Sequence, residues 1–186
     1  MALQHAILAA LSDGESSGYD LAKMFDVTVA NFWSATPQQL YRELDKMEQA
    51  GLVDGRVVPQ EKRPNKRVFS LTDAGRAELH AYTSRPARPV AIRDELLVQV
   101  EALDRADVGA VVTHVEERLA QAEAKLARYE RRRERMLGGD PEEELTADVA
   151  RLGPYLTLAR GIAFERENVA WCRLALRTLA RHVTSG

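Results

Sequence analysis

The first half of the chain alternates short helical hydrophobic patterns with strong stop and start signals. Apolar residues within Leu3–Leu11 recur at the three- and four-residue spacing of one helix face, and Gly14 follows where that pattern stops. A second pattern begins after Ser17, which pairs with Asp20 as an N-cap, and runs to about Phe32. Two short amphipathic helices are therefore predicted before residue 35.

The third helix has the clearest start signal in the chain. Thr36 is a good capping residue, Pro37 occupies the first helical position, and Gln39 completes a capping box. Gly51 stands where the helix should end. The inward stripe of this helix is predicted to be Leu40, Leu44 and Met47.

After the third helix the hydrophobic period changes from 3.6 to two. Leu52–Val58 and Arg67–Leu71 are rich in apolar and β-branched residues, and a turn-prone basic tip, Pro59–Lys66, separates them. Thr72 then caps a helix that runs to about Tyr82. Three helices, a β-hairpin and a fourth helix form the order of a winged helix-turn-helix.

The second half has a different pattern, that of long helices. A short helix is predicted over Ile92–Leu103, a rod over Asp107–Leu137 and a last helix over Glu143–His182. The last helix is apolar on more than one face, so it needs a second packing partner, which we expect to be the same helix of another subunit. A heptad seam on the rod comprises Val108, Val112, Val115, Leu119, Ala122, Leu126, Tyr129 and Met136.

The predicted fold is mainly α with a small β-hairpin. Residues 1–84 form a winged helix-turn-helix DNA-binding domain, and residues 85–90 form a linker, because the segment Thr83–Pro89 contains two prolines. Residues 91–186 form a helical dimerisation and effector domain.

Composition narrows the class of protein without identifying it. Of 186 residues 45% are hydrophobic and 29% charged, as in a soluble globular protein. The single cysteine, Cys172, excludes an internal disulfide. The N-terminus lacks the marks of a signal peptide and no apolar run is long enough for a membrane span, so a cytoplasmic location and no membrane partner are expected.

The net charge argues against nucleic-acid binding, because the whole chain carries a charge of −2. Residues 1–85 hold ten Lys and Arg against eleven Asp and Glu. A DNA-binding function must therefore depend on local charge placement. The alternative is a protein-interaction adaptor that binds a partner through its winged helix and dimerises through its rod. A steep salt dependence of binding to random DNA would distinguish the first function from the second.

Several segments resemble the PadR family of bacterial regulators. They are SGYDLAKMF (17–25), FWSATPQQLYRELDKMEQAGLV (32–53), RPNKRVFSLTDAGRAEL (63–79) and, more loosely, YLTLARGIAFERENVAWCRLAL (155–176). The resemblance implies a homodimeric repressor that is released by a small molecule or another signal. It does not identify the signal, the operator or the regulated genes.

The third helix offers side chains suited to reading bases. With its apolar stripe inward, Gln38 and Arg42 point outward near the end that would enter a major groove, where Gln can bridge adenine and Arg guanine. Asp45 shares this face and repels phosphates, although it could accept a bond from cytosine. A merely solvated polar face is the alternative for this helix.

The hairpin tip carries four cations within six residues, which suits phosphates or a minor groove. An ordinary charged loop is the alternative. Tyr19 could add a hydroxyl to a phosphate, or belong to the core. The predicted DNA-contacting set is Tyr19, Thr36, Gln38, Gln39, Tyr41, Arg42, Lys46, Lys62, Arg63, Asn65, Lys66 and Arg67.

Aromatic residues elsewhere are better explained by packing. Trp33, Tyr155 and Trp171 are expected in the core or at a dimer contact, with an effector site as the alternative. Enzyme chemistry finds no support, because no histidine stands at metal-ligand spacing and no phosphate-binding glycine loop or nucleophile motif is present. No cofactor and no metal are predicted.

Overall fold

A computed structural model describes residues 2–25, 35–59, 65–87, 89 and 93–183. The chain divides into two compact units, Met1–Pro89 and Val90–Gly186. We refer to the first as the winged-helix unit and to the second as the helical unit. Their contents are mainly helical with one small sheet, as the sequence predicts.

The winged-helix unit opens with two helices, α1 (Ala2–Ala10) and α2 (Gly18–Met24). Ser17 caps α2, because the Asp20 backbone N–H donates to its hydroxyl at 3.1 Å. The predicted N-cap is therefore confirmed. The predicted end of the second helix, with Val29 and Phe32, lies outside the described residues.

Helix α3 (Pro37–Gln49) begins with the predicted capping box. The Gln39 backbone N–H donates to the Thr36 hydroxyl at 3.2 Å, and the Thr36 backbone N–H donates to the Gln39 side-chain oxygen at 2.9 Å. After α3 the chain turns at Gly51, whose φ of 72° favours glycine.

The wing is a sheet of three strands, one more than the predicted hairpin. Strand β2 (Val53–Val58) pairs antiparallel with β3 (Lys66–Leu71), in the register Val53 opposite Leu71. The additional strand β1 (Ser16–Ser17) pairs with the other edge of β3, in the order β1-β3-β2. Two residues are too few to show a period of two, so periodicity could not reveal β1.

Helix α4 (Asp73–Thr83) follows the wing and is capped by Thr72, as predicted. Gly75 allows it to approach β2 closely, since a Cβ at this position would collide with the carbonyl oxygen of Leu52. The core beneath these elements is continuous and fully buried. It comprises Ile7, Leu8, Leu11, Leu21, Phe25, Leu40, Leu44, Met47, Val53 and Phe69.

The helical unit is built around two long helices, α6 (Val108–Leu137) and α8 (Val149–Val183). Helix α5 (Glu95–Glu101) precedes them and is shorter than the predicted Ile92–Leu103, since Leu103–Arg105 form a 3-10 helix. Most of the predicted seam on α6 packs inward. Its fully buried members are Val115, Ala122 and Tyr129, joined by Val111, which the seam did not include.

The predicted last helix, Glu143–His182, is broken in two. Helix α7 (Glu142–Ala147) ends at Asp148, whose extended backbone interrupts the helix. The Asp148 side chain then accepts the Ala150 backbone N–H at 3.0 Å and so caps the start of α8. The prediction of one continuous helix was wrong here, because the apolar pattern runs through a residue that caps.

Candidate nucleic-acid interface

Helix α3 presents a polar face that its buried stripe fixes outward. Leu40, Leu44 and Met47 are fully buried, so rotation of the helix is set by the core. The residues on the opposite side are exposed. They are Gln38, Gln39, Tyr41, Arg42, Asp45, Lys46 and Gln49.

The N-terminal end of α3 is the end best prepared for a phosphate or a base edge. The capping box engages the Thr36 hydroxyl and the Gln39 side-chain oxygen, so these two groups orient the helix start. Gln38 and Arg42 make no ion pair or side-chain hydrogen bond within the described part of the chain. Their donors and acceptors are therefore available to a ligand.

Close packing between α2 and α3 places two tyrosines beside this face. A Cβ on Gly18 would collide with the ring of Tyr41, so the ring lies directly on the first turn of α2. Tyr41 is nevertheless partly exposed, and Tyr19 is 71% exposed. The sequence did not predict the contribution of Gly18, since a close approach leaves no mark on hydrophobic periodicity.

Lys66 connects the wing to α2 rather than standing free. Its ammonium lies 2.8 Å from the Asp20 carboxylate, which also accepts a hydrogen bond from the Ser17 hydroxyl at 2.7 Å. The hydrogen bond from Lys66 is the main reason that the pKa of Asp20 lies below its ordinary value. The cation that the sequence assigns to phosphate is thus paired with a carboxylate.

Arg67 connects the wing to α3. One of its guanidinium nitrogens lies 2.8 Å from Asp45, and the other pairs with Glu48. The guanidinium also lies 5.0 Å from the centre of the Phe69 ring. Both carboxylates belong to α3, so a single side chain bridges α3 to strand β3.

Three predicted residues lie outside the described residues, namely Trp33, Lys62 and Arg63. Asn65 is described and is exposed immediately before β3. Lys46 is exposed on α3 and lies 3.6 Å from Glu43, one turn away. Arg56 on β2, which the sequence did not single out, pairs with Glu15 at 2.5 Å.

The two described effector candidates lie far apart on α8. Tyr155 is buried, and burial is the first cause that raises its pKa, followed by its hydrogen bond to Glu142. Trp171 packs against another cluster, which includes the buried Cys172. Sixteen residues of helix separate the two aromatic side chains by about 24 Å, so α8 does not bring them into one site.

The described residues contain neither a metal-binding cluster nor a membrane-spanning helix. Neither unit contains a group of three or more His, Cys, Asp or Glu side chains that could hold a metal ion within the described ranges. Within the same ranges, every helix is too short or too polar to cross a membrane.

The chain matches known families over most of its length. Residues 7–81 match the Transcriptional regulator PadR-like family, and residues 92–180 match the family described as Virulence activator alpha C-term. A probable transcriptional regulator of Mycobacterium tuberculosis is 38% identical, over 92% of this chain and 94% of that protein. These matches assign both units to regulators of transcription.

A second relative has been studied as a structure. The negative transcriptional regulator PadR of Bacillus subtilis is 30% identical, over 91% of this chain and 92% of that protein. Its crystal structure in complex with operator DNA matches with a TM-score of 0.76, covering 96% of this chain and 99% of that chain. The same protein in complex with p-coumaric acid matches with a TM-score of 0.69, at 96% and 95% coverage.

Proposed function

This chain belongs to the PadR-like family of DNA-binding transcriptional regulators, and from that premise we propose that it is a homodimeric repressor that recognises an inverted-repeat operator. A negative regulator is 30% identical to it over almost the whole chain, which supports repression. A regulator of transcription works where the chromosome is, so we infer a cytoplasmic location. Its described relatives are regulators rather than enzymes, and we propose no catalytic activity.

The observation that carries the proposal is the exposed polar face at the capped start of α3. Gln38 and Arg42 stand on that face with donors that no other described residue engages, and the core holds the helix so that they point outward. A Gln can bond to adenine and an Arg to guanine in the major groove. We infer that these two side chains read bases.

The other predicted contacts would bind the sugar-phosphate backbone around these two base-reading side chains. Thr36 and Gln39 fix the helix start, whose partial positive charge favours a phosphate. Tyr19, Tyr41, Lys46 and Asn65 are exposed, and their hydroxyl, ammonium and amide groups suit the sugar-phosphate backbone. Lys62 and Arg63 remain proposals from the sequence alone.

Dimerisation is proposed from the helical unit. Leu156 and Leu174 on α8 are each 55% exposed, and Val149 is 83% exposed, although all three are large and aliphatic. A second copy of the helix would remove them from water. Two recognition helices related by a two-fold axis would require half-sites about 10 bp apart, or a multiple of that spacing.

Release by a small molecule is proposed from the relative that binds one. A related repressor has been crystallised with p-coumaric acid, and this chain matches that structure over 96% of its length. We propose an effector for this chain without assigning its chemistry. Tyr155 and Trp171 do not form one site on α8, so within one chain at most one of them would contact it.

One observation favours the adaptor function. Arg56, Lys66 and Arg67, which would contribute to a basic surface, are each paired with a carboxylate. Such pairing lowers the positive potential available to phosphates. A protein partner would tolerate that pairing better than DNA would.

Selection of bound sites from random duplexes, followed by a salt titration, tests the proposal. We expect an enriched inverted repeat, and a binding constant that falls steeply with salt concentration, because each phosphate contact adds about 0.9 to the slope. No enriched sequence, together with a flat salt dependence, would exclude the repressor and leave the adaptor. An enriched single half-site would contradict the dimeric operator alone.

A further inference from the structure

We propose that Arg67 is a positioning residue, which fixes the angle of the recognition helix against the wing, and does not contact a phosphate. The assignment rests on the proposed function, since it concerns how α3 is presented to DNA. It reverses the role that the charge of Arg67 suggests in the sequence. Asp45 and Glu48, which pair with Arg67, are then partners in positioning rather than contacts to bases.

The first support is that two carboxylates and an aromatic ring contact the Arg67 guanidinium. Asp45 and Glu48 engage two different nitrogens, and the Phe69 ring lies 5.0 Å from the guanidinium carbon. A planar guanidinium holds two carboxylates in a fixed relative position, which a flexible ammonium does not do. The arrangement therefore defines a geometry, in addition to neutralising charge.

The second support is that the backbone makes room for this bridge. Gly55 on β2 is opposite Phe69 on β3. A Cβ on Gly55 would collide with the Glu48 carboxylate and would lie 3.2 Å from Arg67 Nε. Any larger residue at this position would disturb the bridge, so strand β2 contributes to it as well.

The third support is the location of the two carboxylates. Asp45 lies one turn after Arg42 on the exposed side of α3, where a bare negative charge would repel DNA. Arg67 pairs with both acids from the wing side, and its single positive charge offsets part of their negative charge. If it left them to bind a phosphate, two unpaired carboxylates would face the DNA backbone.

A ratio of affinities distinguishes positioning from phosphate contact. Phosphate contacts carry no sequence information, so their loss weakens operator and random DNA equally. A misplaced recognition helix loses base contacts, so operator binding falls more than random binding. The quantity to measure is the ratio of operator to random-duplex affinity, at several salt concentrations, for the full-length protein.

The variants are R67A, R67K, the double variant D45N/E48Q and the triple variant that combines D45N/E48Q with R67A. We expect R67A, R67K and D45N/E48Q each to lower the ratio about tenfold, the effect of losing one good base contact. The triple variant should show no further loss, because the same bridge is removed from both sides. Global destabilisation would lower both affinities together and leave the ratio unchanged.

Arg56→Ala is the matched control. It removes an exposed arginine from the same sheet, and its partner Glu15 does not belong to α3. We expect an unchanged ratio for this variant. Circular dichroism and thermal melting of each protein verify that it is folded at the assay temperature.

A phosphate contact predicts a different pattern and would overturn the assignment. R67K would then bind like the wild type, R67A would weaken both DNAs equally, and D45N/E48Q would strengthen both, with no change in the ratio. A wild-type protein without operator preference would overturn the proposed function, and this assignment with it. Operator preference in the wild type, combined with unchanged ratios in the variants, overturns the assignment alone.

Discussion

The large apolar side chains exposed on the winged-helix unit differ in chemistry from those exposed on the helical unit. In the first, most of the large exposed side chains that are described are tyrosines, Tyr19, Tyr41 and Tyr82, which end in hydroxyl groups, and the aliphatic exception is Val57 on the wing. In the helical unit they include Val149, Leu156 and Leu174, which have no polar group at all. The first set suits a wet, polar ligand such as DNA, and the second suits a dry contact with another protein.

The two units also differ in the elements that cover their cores. The winged-helix core is enclosed by four helices and a sheet of the same chain. The helical unit packs α6 against α8 in two clusters, one around Val115 and Cys172 and the other around Tyr129 and Ile162. Leu156 and Leu174 belong to neither cluster and are exposed, so the side of α8 that carries them is available for a subunit contact.

The largest expected effect is on assembly. Changing Leu156 and Leu174 together to Glu should weaken the dimer at least about a hundredfold, because two charges would enter an apolar contact. Sedimentation measures the shift. Val57→Glu, on an exposed apolar residue of the wing, is the control that should leave assembly unchanged.

Two results would contradict the role given to α8. One is a wild-type protein that sediments as a monomer of 20.8 kDa at micromolar concentration. The other is a doubly substituted protein that remains as dimeric as the wild type.

The next effect concerns the core of the winged-helix unit. Gly75→Ala should destabilise it by about 3 kcal/mol, since the added methyl meets the Leu52 carbonyl and neither backbone can move freely. Native-state hydrogen exchange of the α1, α3 and α4 amides measures the loss, while α6 and α8 should be unaffected. Ala77→Gly, on the exposed side of α4, is the control and should destabilise the unit by only about 1 kcal/mol. If Ala77→Gly destabilised the unit more than Gly75→Ala does, the close approach at Gly75 would be refuted.

A smaller effect is expected where α5 docks on α6. Arg118 donates two hydrogen bonds to Asp94, at 2.8 and 3.0 Å, and so lowers the pKa of that carboxyl. Arg118→Met should destabilise α5 by about 1 kcal/mol, allowing for solvent screening. Exchange of the α5 amides measures it, and Arg105→Met, in an exposed pair with Asp104, should change nothing.

The ion pair between Arg118 and Asp94 also makes the stability of α5 depend on pH. Because the pKa of Asp94 is lower in the folded protein, its stabilisation is present above the unfolded value of about 3.9 and is lost as pH falls through the lowered pKa. Opening of α5 that increases in acid to the same extent in Arg118→Met would contradict this assignment.

The smallest effect is on the titration of one wing carboxylate. Lys66→Met should raise the pKa of Asp20 toward its ordinary value of 3.8, since the hydrogen bond from Lys66 is the largest cause of its depression. Carboxyl-detected NMR follows the titration. An unchanged pKa would show that the link between the wing and α2 does not persist in solution.

Sequence reasoning succeeded where structure is determined locally. Thr36 and Gln39 form the capping box that their spacing predicts, and Gly51 turns the chain after α3. A cap needs only residues within one helical turn, so its signal is complete in the sequence. The core stripe of α3 was predictable for the same reason.

Sequence reasoning failed where contacts join distant segments. The carboxylate partners of Arg67 lie 22 and 19 residues away, so its sequence neighbourhood shows only its charge and not the two ion pairs. Gly18 and Gly55 permit close approaches that no periodicity reports. The break at Asp148 was missed because the apolar pattern continues across it.

The most direct test of the central claim is the ratio of operator to random-duplex affinity for Arg42→Ala. This residue is exposed on α3 and makes no ion pair within the described ranges, so the core and the wing should be undisturbed. Loss of a bidentate base contact costs about 1–3 kcal/mol, which predicts a ratio roughly 5- to 150-fold lower with little change on random DNA. An unchanged ratio in the folded variant would contradict α3 as the element that reads the operator.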